Sequence, residues 1–127
     1  MHSCRIRARG YELDSYGHVN NAVFFNYFEQ ARWELFMAKG LLEQITGEGL
    51  FLVVVEVNLR YQREVRLGDE IEIVTLVKKD EPFIWFEQRM RNINSGLPVA
   101  RAKVKTVFVD SERITHDIPD GLSPVFE

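Results

Sequence analysis

Over residues 22–39, Phe24, Phe28, Ala31, Leu35 and Ala38 recur at intervals of four, three, four and three. That spacing predicts an amphipathic helix with one buried stripe. Asn20 or Asn21 can cap it by accepting from orphan amides of the first turn, and Gly40 is placed to end it in a left-handed conformation. Elsewhere the period is two. Arg5, Arg7 and Arg9 alternate with Ile6, Ala8 and Gly10, as a short strand with one wet face would. A loop containing Gly47 and Gly49 follows the helix. Four further strands are then predicted, over residues 50–61, 70–79, 83–92 and 99–110. The turn residues at 67–69, 80–82 and 94–98 separate them.

The order is therefore strand, helix, four strands. Short links between the last four favour antiparallel neighbours, and a long helix with a broad apolar stripe needs a sheet to lie against. The fold class expected is α+β, with one helix packed on one curved antiparallel sheet and a single domain over residues 1–127. A chain of 127 residues is long enough for one core, burying roughly two thirds of the surface it exposes when unfolded. The segment 50–61 is apolar, with Val53, Val54 and Val55 in succession. Left as a free edge it would invite aggregation, so pairing with the same strand of a second copy is expected.

Composition narrows the function classes. With 46% hydrophobic and 28% charged residues the chain reads as an ordinary globular protein. A net charge of −3 gives no overall attraction to nucleic acid or anionic lipid, although a local cationic patch can still hold one small anion. Cys4 is the single cysteine, so no intramolecular disulfide can form, and the thiol suits a reducing compartment. The first ten residues hold no apolar run of the kind a secretory signal needs, and residues 50–55 are far too few to span a bilayer. A cytoplasmic protein without membrane association is expected. His2 and Cys4 sit two apart with no further ligands nearby, so no metal site is expected.

The chemistry concentrates in DSYGHVNNAVFF, residues 14–25. A helix N-terminus offers unpaired amides and the positive end of a dipole, a ready place for a developing oxyanion. Here the amides of residues 21–23 would be the donors, with the Asp14 carboxylate on the loop before them. One carboxylate facing one set of donors suits acyl transfer. Asp14 would either attack the carbonyl or take a proton from water while the amides receive the oxyanion. Thioesters fit better than amides, because their carbonyls are more electrophilic and the thiolate leaves without a strong acid. The plain alternative is that Asp14, Asn20 and Asn21 only shape a turn and cap a helix. His18 could itself act as a base, but only Ser15 and Cys4 stand near it as nucleophiles, and a structural place in the loop suits it better.

RGYELDSYGHVNNAVFFNYFEQARWELF resembles the hotdog-fold acyl-CoA thioesterases of the 4-hydroxybenzoyl-CoA thioesterase type, and most of all the bacterial long-chain acyl-CoA thioesterases. The likeness extends through FLVVVEVNLRYQREVRLGDEIEI. Its most specific part is Asp-x-x-x-His-Val-Asn-Asn before an aromatic-rich helix. The resemblance implies a hotdog fold, one long helix wrapped by a five-stranded antiparallel sheet. It also implies that Asp14 is the catalytic carboxylate, that the Asn21 amide contributes to the oxyanion hole, and that sites form at the interface of a homodimer or of a tetramer built from two dimers. Another thioesterase branch carries a catalytic Glu within the helix. Glu29 is available for that, but an i,i+3 ion pair with Arg32 is its expected role.

Acyl-CoA is the substrate this reading expects, with no organic cofactor. Phe24, Phe25 and Phe28 begin just beyond the donor end and can wall an acyl pocket, although aromatics at helical spacing also build cores. Coenzyme A carries phosphates, and Arg60, Arg63 and Arg91 are the cations assigned to them. A carrier-protein thioester would ask for a broad basic surface, free coenzyme A for a compact one.

Overall fold

The computed structural model describes residues 1–47 and 49–126. Strand β1 (His2–Arg7) leads through a 3₁₀ turn (Gly10–Glu12) and a loop to helix α1 (Asn21–Ala38) and the short α2 (Leu42–Thr46). Strands β2 (Phe51–Tyr61), β3 (Glu70–Asp80), β4 (Phe83–Asn92) and β5 (Pro98–Val109) follow. A two-residue β6 (Thr115–His116) and a 3₁₀ turn (Asp120–Val125) complete the elements. The sheet runs β1-β3-β4-β5-β2 with every pairing antiparallel, and β6 adds to the end of β5.

Alternation along the central strands separates two faces. Ile71, Ile73 and Val77 of β3, Ile84, Phe86 and Met90 of β4, and Val104 and Phe108 of β5 are buried on the inner one. Helix α1 lies on that face. Its stripe is Phe24, Tyr27, Phe28, Ala31, Leu35 and Phe36, all buried, and Phe36 meets Phe86 edge-on at 5.9 Å between ring centres. Each such apolar side chain contributes roughly 1.5–3 kcal/mol on leaving water, so this stripe outweighs the cap in fixing the helix. The cap is still made: the Asn20 side chain accepts from the Ala22 amide at 2.9 Å, and Gly40 adopts φ +69° where the helix stops.

Four sequence expectations need correction. Ala38 is exposed, and Tyr27 and Phe36 widen the stripe in its place, because the helix faces a broad sheet rather than a narrow seam. The first strand ends at Arg7 rather than running on to Gly10, because the Glu12 carboxylate folds back to accept from the Arg9 amide at 2.8 Å and turns the chain. The loop before β2 contains α2, anchored by buried Ile45; five residues are too few to display a helical period. Glu29 and Arg32 form no ion pair. Arg32 instead donates from Nη1 to Gln88 Oε1 at 3.0 Å, while Gln88 Nε2 reaches the Phe28 carbonyl at 2.9 Å and Thr75 Oγ1 at 3.1 Å. Buried Gln88 thus spends its amide on the helix backbone and the sheet, and its oxygen draws the guanidinium inward.

The long apolar strand is an edge of the sheet. On β2, Phe51, Val54, Val55 and Val57 are exposed, and its register on β5 shifts between Val54 and Glu56. Among the described residues no helix is long and apolar enough to cross a membrane.

Cys4 faces inward on β1, half-buried beside α1. Burial, with a smaller contribution from the Glu34 carboxylate, pushes its thiol up to about 11. The thiolate is the reactive form, so at pH 8 alkylation by iodoacetamide should run roughly two orders of magnitude slower in the folded protein than in denaturant. The folded-state rate should keep climbing as pH rises from 8 to 10. Equal rates in the two states would contradict the buried position.

Candidate active site

The site begins with how residues 13–20 close on themselves. Leu13 bridges Val19, and the Asp14 amide donates to the His18 carbonyl at 2.7 Å. The Asp14 side chain then braces the turn: Oδ1 accepts from the Tyr16 amide at 2.9 Å and from the His18 amide at 3.3 Å. Its other oxygen, Oδ2, accepts nothing from the described residues. One oxygen holds the loop and the other is free for chemistry.

A second strip of chain holds this loop from outside. The Val19 amide donates to the Val65 carbonyl at 2.7 Å, and His18 bridges Arg66. The His18 ring places Nε2 2.9 Å from Glu64 Oε2. Glu64 in turn receives Arg66, whose Nη2 lies 2.6 Å from Oε1, and hydrogen bonding from that guanidinium holds the Glu64 carboxyl below the usual carboxylate range. The imidazole is therefore turned toward Glu64.

From below, Glu12 fixes the distance between the loop and the helix. Its carbonyl accepts from the Asn20 amide at 2.9 Å, and its buried carboxylate accepts from the Arg9 amide and from Tyr27 Oη at 2.5 Å. Burial first, then that bond to Glu12, raises the Tyr27 phenol well above its ordinary range, so it remains a donor.

The helix N-terminus is more specific than the sequence suggested. The Ala22 amide is taken by the Asn20 side chain, and the Val23 amide by the Asn20 carbonyl at 2.9 Å. Of the three donors expected over residues 21–23, only the Asn21 N–H is left uncommitted among the described residues. Its peptide is steadied by Tyr61 at the end of β2, whose hydroxyl donates to the Asn21 carbonyl at 2.8 Å and whose ring lies 5.1 Å from that of Phe24. Glu12, Tyr61 and Glu64 were not singled out from the sequence, and Tyr27 read there only as one of the aromatics in the first turns of the helix. Each acts across 15 to 46 residues of chain, a separation at which no local spacing carries a signal.

The three phenylalanines divide. Phe24 is buried in the core, packed on Tyr27 and Tyr61. Phe28, though buried, and Phe25, 44% exposed, line a groove of about 230 Å³ between α1 and β2. Val54, Val57 and Leu59 form its other wall, and Glu29 and Arg32 line it as well. The groove continues along the helix past Trp33, Phe36 and Leu52. The three arginines also divide. Arg63 donates to the Pro98 carbonyl at 2.8 Å and Arg91 pairs with Glu72 at 2.9 Å, whereas Arg60 has no ion-pair partner among the described residues.

A carboxylate with one free oxygen, one free helix-start amide and an adjoining apolar groove suit hydrolysis of an acyl group. The family model for the Thioesterase-like superfamily matches residues 9–126. The chain belongs to that superfamily. Membership bears out the expected resemblance to the thioesterases. Long-chain acyl-CoA thioesterase FadM of Escherichia coli is 35% identical over 75 residues, which are 59% of this chain and 57% of FadM. The chain thus spans less than two thirds of that relative. Acyl-acyl carrier protein thioesterase ATL3 of Arabidopsis thaliana, chloroplastic, is 26% identical over 128 residues, 99% of this chain and 67% of ATL3. Among solved structures, YbaW, a probable thioesterase of E. coli, superposes with a TM-score of 0.84 at 27% identity, covering 96% of this chain and 93% of YbaW. The thioesterase fold, α+β with one long helix on an antiparallel sheet, is the hotdog arrangement expected from the sequence. To the five expected strands it adds the two-residue β6.

Proposed function

We propose that this chain, read as a single hotdog domain over residues 1–127, hydrolyses the thioester of a medium- or long-chain fatty acyl-CoA to free acid and coenzyme A. The observation that carries the reading is the pairing of a half-committed Asp14 carboxylate with the one uncommitted amide at the start of α1, that of Asn21. Asp14 takes a proton from water as its oxygen bonds to the carbonyl carbon, or attacks that carbon itself. The Asn21 N–H receives the oxyanion. The carbon–sulfur bond then breaks and the thiolate leaves with the electron pair: where Asp14 acted as base it returns its proton to the sulfur, and where Asp14 attacked, the thiolate is protonated from solvent and water hydrolyses the acyl–Asp14 anhydride to release the acid. His18 and Asn20 hold the loop and the cap.

The groove walled by Phe25 and Phe28 suits an aliphatic acyl chain, with Phe24 as backing behind it. The name of FadM supports a long acyl group. Arg60 is the freest of the three cations first assigned to coenzyme A, with Arg63 and Arg91 at the same end of the sheet. Lipid metabolism in the cytoplasm is the setting this implies.

A homodimer formed along β2 belongs to the same reading, because exposed Val54, Val55 and Val57 leave an apolar edge that a second β2 would cover. Light scattering after size exclusion at micromolar concentration should give the mass of a dimer or of two dimers. A monodisperse monomer would contradict it.

The competing reading is a hotdog module that binds acyl thioesters, or another apolar ligand, without turning them over. Thiol release from short, long and aromatic acyl-CoAs separates the two. Release that rises with chain length supports hydrolysis of fatty acyl-CoA, and release from none of them removes the enzyme reading.

A further inference from the structure

The groove between α1 and β2 is not apolar throughout. Phe25, Phe28, Val57 and Leu59 wall the part nearer the start of the helix, and Trp33, Phe36 and Leu52 wall the part beyond. Glu29, Arg32 and Val54 line both parts, so a polar pair stands where the two meet.

Arg32 is held against the groove wall. Gln88 Oε1 accepts from its Nη1 at 3.0 Å, and Gln88 is itself fixed to the Phe28 carbonyl and to Thr75. The guanidinium carbon lies 5.9 Å from the centre of the Phe86 ring. Burial, against a smaller pull from the Glu29 carboxylate, holds the guanidinium below its ordinary value. Its Nε and Nη2 donate to none of the described residues. Glu29, exposed at the groove rim, makes no hydrogen bond or ion pair with them either. Residues three apart on a helix are neighbours, roughly 5–6 Å between Cβ atoms, so one small group between these two side chains can meet both.

The chemistry of that group follows from the pair. A bare methylene chain passing between them takes water from both and returns no hydrogen bond. A carboxylate on the chain would face Glu29 as a like charge, and an ammonium would face Arg32. A keto oxygen would leave Glu29 unmatched. A hydroxyl accepts from the guanidinium and donates to the carboxylate. Its place on the chain follows from the helix. Glu29 and Arg32 come eight and eleven residues after Asn21, about 12 and 16 Å along the axis at the usual rise. Helical side chains lean back toward the N-terminus, which sets the pair roughly 10 Å from the Asn21 amide.

We infer that Glu29 and Arg32 select an acyl chain carrying a hydroxyl near its middle, so that the substrate class is a mid-chain hydroxy fatty acyl thioester. The inference rests on the proposed thioester hydrolysis for its reaction. In wild-type protein, kcat/KM for 10-hydroxyoctadecanoyl-CoA should exceed that for octadecanoyl-CoA by about tenfold or more. The 3-hydroxy isomer, whose hydroxyl stops short of the pair, should show no such gain. Arg32→Met and Glu29→Ala should each remove most of the preference, and Arg32→Lys, which retains a donor, should keep part of it. Each ratio is taken within one protein, so a variant that is only partly folded does not disturb it.

Equal kcat/KM for the hydroxylated and plain chains in wild-type protein would overturn the inference. So would a preference that survives both Arg32→Met and Glu29→Ala, or an equal gain from the 3-hydroxy isomer. Thioethers of coenzyme A, S-octadecyl and S-(10-hydroxyoctadecyl), cannot be hydrolysed and separate this inference from the activity. Calorimetry should show the hydroxylated thioether binding wild-type protein about tenfold more tightly. If it does while no acyl-CoA is hydrolysed, the proposed activity falls and the hydroxyl selection stands. If both thioethers bind alike, or neither binds, the selection falls whether or not acyl-CoA is hydrolysed.

Discussion

Asp14→Ala protein is expected to lose acyl-CoA hydrolysis by about a thousandfold or more in kcat, the upper part of the range for removing a positioned acid–base group. Thiol release under saturating substrate is the readout. Folding should survive, because the side chain contributes two hydrogen bonds to an exposed turn, worth about 1 kcal/mol each. Asp14→Asn sharpens the test. Its amide oxygen can still accept from the Tyr16 and His18 amides, so the turn is retained while the free carboxylate oxygen is lost. Both variants should bind acyl-CoA with little change. Full turnover in either would move the base elsewhere, with His18 and Glu29 next to be substituted.

Asn21→Pro is expected to cost roughly a hundredfold to a thousandfold in kcat, the cost of removing one oxyanion donor in other enzymes. The substitution suits this backbone unusually well. Residue 21 is the first residue of α1, where proline is favoured because its missing N–H would be unpaired in any case. Asn20 already has φ −58° and ψ 138°, the extended conformation that a residue before proline adopts. The variant should therefore unfold within about 1 kcal/mol of wild type in denaturant titration. Asn21→Ala keeps the N–H and should keep most of the rate, since the Asn21 side chain makes no hydrogen bond to the described residues. An Asn21→Pro enzyme with unchanged kcat would show that the oxyanion is held elsewhere.

Much of the fold could be read from local pattern. The α1 stripe and the long strands are signalled by side chains a few residues apart, and Asn20 and Gly40 mark the helix ends by their own conformational preferences. What could not be read depends on register. Arg32 turns away from Glu29 because Gln88, 56 residues further on, offers it an oxygen beneath the helix. Strand β1 stops at Arg7 because the Glu12 carboxylate captures the Arg9 amide, a capture made firm by Tyr27 one turn and a half into α1.

The candidate site divides in the same way. Asp14, His18, Asn20 and Asn21 lie within one short stretch, residues 14–21, so their association was legible. Which amide is free was not legible from local spacing, where residues 21–23 stood alike and only the resemblance pointed to Asn21, because it depends on which oxygen the Ala22 and Val23 amides find. The arginines show the limit most clearly. Arg60, Arg63 and Arg91 look alike in sequence, yet one donates to a carbonyl, one is neutralised by Glu72, and one joins Arg101 and Arg89 in a row that exists only once three strands are in register.

The central claim is that the Asp14 carboxylate and the Asn21 amide act on one thioester carbonyl. Its most direct test is kcat/KM for the preferred acyl-CoA in wild type, Asp14→Ala, Asn21→Pro and the double variant. Groups that serve one transition state are not additive, so the double variant should be scarcely slower than Asp14→Ala alone. Losses that multiply in full would mean that the two groups act independently, and a wild-type protein that releases no thiol would contradict the account as a whole.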